Sequence, residues 1–121
     1  MKNKVVITGT SSGIGRATAM LFIREGYKVI GIDRNGSAIS LPIELQHRYT
    51  HYKVDIRDKD KLPDIEDVEI LINNAGTQNE NDITTNLIGT INVTEKYAFQ
   101  SKIKSVLMVS SASAITGAEF P

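Results

Sequence analysis

The sequence contains no cysteine. That excludes disulfides, thiolate zinc sites and cysteine nucleophiles, and it fits a reducing, cytoplasmic setting. It has no excess charge of either sign: 14 Lys and Arg balance 14 Asp and Glu. Without a basic surplus, nucleic acid is not an expected partner. Long apolar runs are missing too, so no membrane span is expected. The run behind Lys2 and Lys4 is also too short for a signal peptide. Internal repeats and low-complexity tracts are absent. The two histidines, His47 and His51, have no acid cluster beside them. They are read as surface residues, and no metal site is expected. What remains is 121 residues with 40% hydrophobic and 23% charged content, enough for one compact unit with a core.

The stretch Thr8-Gly9-Thr10-Ser11-Ser12-Gly13-Ile14-Gly15 organises the rest. It follows the apolar run Val5-Val6-Ile7, read as a buried strand, and opens a helix over about 14–25. Strand, glycine-rich turn and helix N-terminus make a phosphate cradle. Glycines let the backbone turn tightly and approach a pyrophosphate, and the helix end offers free N–H groups. The spacing is G-x-x-x-G-x-G rather than the better-known G-x-G-x-x-G. Ile14, Ala17, Leu21 and Phe22 are expected to form the helix's apolar face, and Gly26 its C-terminal cap.

Lys28 to Ile32 reads as a second buried strand, so the first two strands are parallel with a right-handed crossover. Asp33 ends it, where a dinucleotide fold places an acid to accept hydrogen bonds from the adenosine ribose. A carboxylate there repels a 2′-phosphate, which favours NAD over NADP. Arg34 beside it argues the other way, and a plain turn residue before Arg34-Asn35-Gly36 is the simpler role for Asp33.

Further on, a short helix is expected near 43–48, a third strand over 51–54 ending at Asp55, and a charged, solvated short helix and turn over 57–69. A fourth strand covers 69–73 and runs into Asn73-Asn74-Ala75-Gly76. A long helix follows, capped near Asp82 and reaching about Lys102. Its stripe Ile83, Leu87, Ile91, Thr94 and Ala98, widened by Ile88 and Tyr97, is read as core. Ser105 to Ser111 makes a fifth strand, and 112–121 a loop. The fold class is α/β: a doubly wound, Rossmann-like parallel sheet of order 3-2-1-4-5 with helices on both faces, in one unit over 1–121.

These motifs together resemble the short-chain dehydrogenase/reductase family. The resemblance rests on Thr8-Gly9-x-x-x-Gly13-Ile14-Gly15, Asp33, Asp55, Asn73-Asn74-Ala75-Gly76, Asn86 and Ser110-Ser111, in family order along the whole chain. It implies that the turn, with Gly9, Ser11, Ser12, Gly13, Ile14 and Gly15, holds the pyrophosphate. Asp33 would lie at the ribose with Arg34 as the neighbouring cation, Asp55 and Ile56 at the adenine, and Asn74, Ala75 and Gly76 along the cofactor cleft. It also implies that Asn86 holds a water in a proton relay and that Ser111 orients the substrate.

The family's chemistry further needs a Tyr-x-x-x-Lys helix about a dozen residues after Ser111, just past Pro121. Its tyrosine is the acid/base, lowered in pKa by the lysine. Tyr49 and Lys53 have that spacing but come too early and lead into a strand. Residues four apart there stand about 13 Å apart, against about 6 Å on a helix. The 121 residues are therefore expected to be a truncated member, an NAD-binding core without normal hydride transfer. The fifth strand (105–111) and the long helix (82–102) would then be surfaces for self-association. Two other readings stand beside this one: an NAD-responsive oligomeric regulator, and a relic or clipped chain without function of its own. A hydrolase using Asp33 and Asp55 as a carboxylate pair ranks below them.

Overall fold

The computed structural model describes residues 3–11, 13–74 and 83–109. Five strands form a single parallel sheet: β1 (Lys4–Thr8), β2 (Lys28–Asp33), β3 (Tyr49–Lys53), β4 (Val68–Asn73) and β5 (Ser105–Met108). Their order is β3-β2-β1-β4-β5, as expected, and every neighbouring pair is parallel. The strands read as apolar runs rather than alternating patterns because the central ones are covered on both faces. Val5 and Ile7 of β1 pack with Ala19, Ile23, Val29 and Ile72 on one side. Val6 packs with Ile32, Leu71, Val93 and Tyr97 on the other.

Helix α1 (Gly13–Arg24) follows the glycine turn and ends where Gly26 takes φ of 94°. The Gly26 and Tyr27 amides donate back to Ile23 O and Phe22 O, the expected left-handed cap. Its buried face differs from the one read in the sequence. Gly15, Ala19 and Ile23 face the sheet, while Ile14 and Leu21 are 60% and 59% exposed. The helix carries two apolar stripes, and periodicity does not rank them. Gly15, pressed against the Gly9 carbonyl, fixes the rotation.

Helix α2 (Ile83–Tyr97) stops about five residues before the expected Lys102, and its core face is also corrected. Gly89, Val93 and Tyr97 are buried, whereas Leu87 is 59% exposed and Ile88 and Ile91 are exposed too. Three contacts set this rotation. Gly89 makes room for Ile56, Asn92 Nδ2 donates to Ile56 O at 3.0 Å, and the Tyr97 hydroxyl donates to Pro63 O at 2.6 Å.

The connection from β2 to β3 holds only a 3-10 turn (Ile43–Arg48), and that from β3 to β4 only Lys59–Lys61. β3 begins two residues earlier than expected, so Tyr49 and Lys53 are its two ends. This extended backbone separates the early Tyr-x-x-x-Lys pair, in line with its rejection as a catalytic couple. β5 is wholly exposed along its four residues.

Candidate functional site

The C-terminal ends of β1, β2 and β4 converge on the glycine turn. Its glycines do different jobs. Gly9 and Gly13 hold φ of 77° and 56°, a left-handed backbone that residues with a Cβ avoid. Around Gly13 nothing would obstruct a side chain within 4 Å, so its need is conformational. Gly15 is the opposite case. A Cβ there would collide with the Gly9 carbonyl and with Asn74 Nδ2.

Asn74 ties β4 to this turn. Its backbone N–H donates to Thr8 Oγ1 at 3.0 Å, and its Nδ2 donates to Gly9 O at 3.1 Å. The strand-end asparagine of the sequence reading is thus a strut between β1 and β4. Its neighbour Asn73 turns the other way, is buried, and donates weakly to Thr94 Oγ1 at 3.4 Å.

Asp33 lies beside the turn at the end of β2. Its Oδ2 accepts from the Ser11 N–H at 3.0 Å and its Oδ1 from the Asn35 N–H at 2.8 Å. It is therefore a turn residue and a brace for the glycine loop at once, with lone pairs left on each oxygen for a further donor. The Ser11 hydroxyl donates to Gly36 O at 2.8 Å, closing the same turn from the other side.

After β3, Asp55 is gripped by Arg57, whose guanidinium reaches its carboxylate at 2.6 Å. This hydrogen bond outweighs the effect of partial burial, and Arg34 adds a smaller attraction. The carboxyl is held below its ordinary range. An acid kept ionised in this way is a poor proton donor, which argues against the carboxylate-pair hydrolase. Ile56 turns its side chain into the core beneath Gly89, so what this loop offers a ligand is its main chain and Asp55. Asn86, on α2, is half-buried. Ser12, Ala75, Gly76 and Ser111, along with the Asp82 cap and residues 110–121, lie outside the described residues.

Several site residues escaped the sequence reading. Thr10 is fully buried within the turn, Tyr49 reaches it from β3, and His51 in turn contacts Tyr49. His51, read as a surface residue rather than a ligand, is half-buried, and both its ring nitrogens have protein partners, the Tyr49 hydroxyl and the Asn35 carbonyl. Asn92 and Gly89 hold the 55–57 loop from behind. A glycine in the middle of a helix was the signal available for that close approach.

The residues fit a dinucleotide. A left-handed turn opens at a helix N-terminus, Gly15 lets that helix pack directly against the Gly9 carbonyl, and a braced carboxylate stands at the next strand end. Among the described residues no group of His, Asp and Glu could hold a metal ion, and no helix is long and apolar enough to cross a membrane.

Comparison with known proteins agrees with this geometry. The chain is 34% identical over 122 residues to a coniferyl-alcohol dehydrogenase of Pseudomonas sp., covering 98% of this chain and 46% of that protein. It is 41% identical over 85 residues to a serine 3-dehydrogenase of Agrobacterium fabrum, covering 63% and 34%. The chain thus spans less than half the length of these relatives. A short-chain dehydrogenase from Streptomyces avermitilis superposes with a TM-score of 0.74 at 24% identity, over 91% of this chain and 50% of that one. The family model described as short chain dehydrogenase matches residues 3–119, and the chain belongs to that family of NAD(P)-using oxidoreductases.

Proposed function

We propose that these residues form the cofactor-binding part of an NAD(H)-dependent dehydrogenase, one dinucleotide-binding unit over 1–121. The observation that carries the choice of NAD is the Asp33 carboxylate, clamped by the Ser11 and Asn35 amides at the lip of the glycine turn. There it accepts hydrogen bonds from ribose hydroxyls and opposes a 2′-phosphate. Gly9, Ser11, Ser12, Gly13, Ile14 and Gly15 hold the pyrophosphate. Asp55 and the main chain at Ile56 meet the adenine, with Arg34 nearby, and Asn74, Ala75 and Gly76 line the cleft. Asn86 and Ser111 belong to the catalytic end. When bound, the nicotinamide supplies or takes up the hydride.

The proton-transferring Tyr and Lys that the family resemblance calls for are not contributed by Tyr49 and Lys53, which β3 holds apart. The 121 residues alone are therefore expected to bind nucleotide without turning over a carbonyl substrate. The absence of cysteine supports a cytoplasmic setting.

Calorimetric titration with NADH and then NADPH tests this reading. NADH binding at about micromolar Kd, tighter than NADPH and weakened by Asp33→Ala, is the expected result. A folded sample that binds neither nucleotide overturns it. Tighter NADPH binding would assign the site to NADP through Arg34.

A second reading has its own observation. Leu87, Ile88 and Ile91 on α2, and Val106, Leu107 and Met108 of β5 with Val109 just after it, expose apolar side chains. These surfaces support self-association, and with a nucleotide site in the same sheet they support an assembly that responds to NAD. Sedimentation with and without NADH tests it; a monomer under both conditions at high micromolar concentration overturns it.

A further inference from the structure

Tyr49 and His51 stand two residues apart on β3 and so share a face of the sheet. The register sets Tyr49 opposite Val29 and His51 opposite Gly31. The Tyr49 hydroxyl oxygen lies 3.1 Å from Thr10 Oγ1 and 2.9 Å from His51 Nδ1. His51 Nε2 lies 2.9 Å from the Asn35 carbonyl. A carbonyl only accepts, so Nε2 carries a proton. With Nε2 protonated, Nδ1 of a neutral imidazole accepts, so the Tyr49 O–H has two acceptors within reach, His51 Nδ1 and Thr10 Oγ1. Gly31 makes this possible, because a Cβ there would collide with the Tyr49 hydroxyl and with Thr10 Oγ1.

One polar chain thus runs from the glycine turn, through β3, to the turn after β2. A second link between the same two turns is Asp33, bound to the Ser11 and Asn35 amides. Thr10 adjoins Ser11, and Asn35 belongs to both links, so the two form a closed ring. Burial raises the Tyr49 hydroxyl above its ordinary pKa, with the Thr10 and Ser37 hydroxyls opposing, which keeps it a donor.

We infer that Tyr49 and His51 are positioning residues that set cofactor choice at the ribose end of the site. By holding the Asn35 carbonyl, they hold the Asn35 amide on Asp33, and with it the carboxylate against Ser11. A carboxylate pinned there stays where a 2′-phosphate would come. Released, it rotates toward solvent, and the exposed Arg34 is free to meet a phosphate instead. This inference rests on the NAD reading proposed above.

The test measures NADH and NADPH affinities for the full 121-residue chain and for Tyr49→Phe, His51→Ala and His51→Gln. Tyr49→Phe and His51→Ala are expected to lower the ratio of the NADPH Kd to the NADH Kd by about fivefold or more. His51→Gln keeps an N–H for the Asn35 carbonyl and is expected to stay within about twofold of wild type. General loosening of the fold would weaken both nucleotides together and leave the ratio alone. A ratio unchanged in Tyr49→Phe and His51→Ala overturns the inference while the NAD reading stands. A folded wild type that does not favour NADH overturns both. Amide exchange gives a readout without nucleotide: the Ser11 and Asn35 amides should exchange about tenfold faster in Tyr49→Phe, with the β1 amides unchanged. Unchanged exchange at Ser11 and Asn35 also overturns the inference.

Discussion

Asn74 Nδ2 donates to the Gly9 carbonyl at 3.1 Å, and Gly15 sits so close to both that it has no room for a methyl group. Three segments far apart in sequence meet at that point. Gly15→Ala must displace the carbonyl, the amide or the helix. The expected cost is about 1–3 kcal/mol of stability, as for overpacked cores, together with loss of nucleotide binding. Urea unfolding and calorimetry check it. An unchanged midpoint would mean that the turn yields freely.

The docking face of α1 is tested by comparing two leucine-sized side chains on its two stripes. Ile23 is fully buried and Leu21 is 59% exposed. Ile23→Ala should cost about 2–5 kcal/mol. Leu21→Ala should fall within about 0.5 kcal/mol of wild type. Equal losses from both would restore the face read from periodicity.

Tyr97 is wholly buried with its hydroxyl on Pro63 O, and burial raises its pKa well above the ordinary value, with Asp64 adding to the shift. The unfolded chain therefore releases this proton at lower pH than the folded one. Its contribution to stability is complete below about pH 10, the pKa of a free tyrosine, and declines as the pH rises further. Tyr49, also raised, acts in the same direction. Tyr97→Phe should cost about 1–3 kcal/mol at neutral pH, since it leaves the half-buried Pro63 carbonyl without this donor. It should also flatten the alkaline decline. Urea melts between neutral pH and pH 11 measure both.

Asp55 works with the opposite sign. Arg57 holds its carboxyl low, so the stabilisation it gives is present above the unfolded pKa and is lost as acid protonates the folded group. In Arg57→Met the Asp55 titration, followed by carboxyl NMR shifts, should move up toward the ordinary carboxylate value of about 3.9. No movement would assign the low value to the loop backbone instead.

Charges on the exposed stripe of α2 test its role as a contact surface. The pair Leu87→Glu and Ile91→Glu should abolish any self-association seen by sedimentation. The change in stability should be within about 0.5 kcal/mol per site, because neither side chain is in the core. Association that survives both changes would point to the β5 edge.

The parts of this protein that are legible in the sequence are those written in neighbouring residues. The strand, turn and helix around Gly9, Gly13 and Gly15 announce themselves through composition and spacing, as does Asp33 at the end of an apolar run. The strand order follows from alternating strands and helices. What stays hidden depends on register and rotation. Tyr49 meets Thr10 only because β3 pairs with β2 at the register Val29 to Tyr49, and nothing local encodes that offset. The faces of α1 and α2 are hidden for a related reason. Each helix carries more apolar residues than one face needs, and glycine contacts at positions 15 and 89 choose between them.

The strand order also has a consequence for how the chain is made. β1 lies at the centre of the sheet, yet it leaves the ribosome before both of its partners, and β4 follows it by about 60 residues. At about 5–20 residues per second, several seconds pass with one side of β1 unpaired. During that interval the apolar run Val5, Val6 and Ile7 is without its β4 neighbour, and an unpaired apolar segment is a template for the same segment of a neighbouring nascent chain. Lys4, which ends up half-buried at the start of β1, sets a charge beside that strand while it waits.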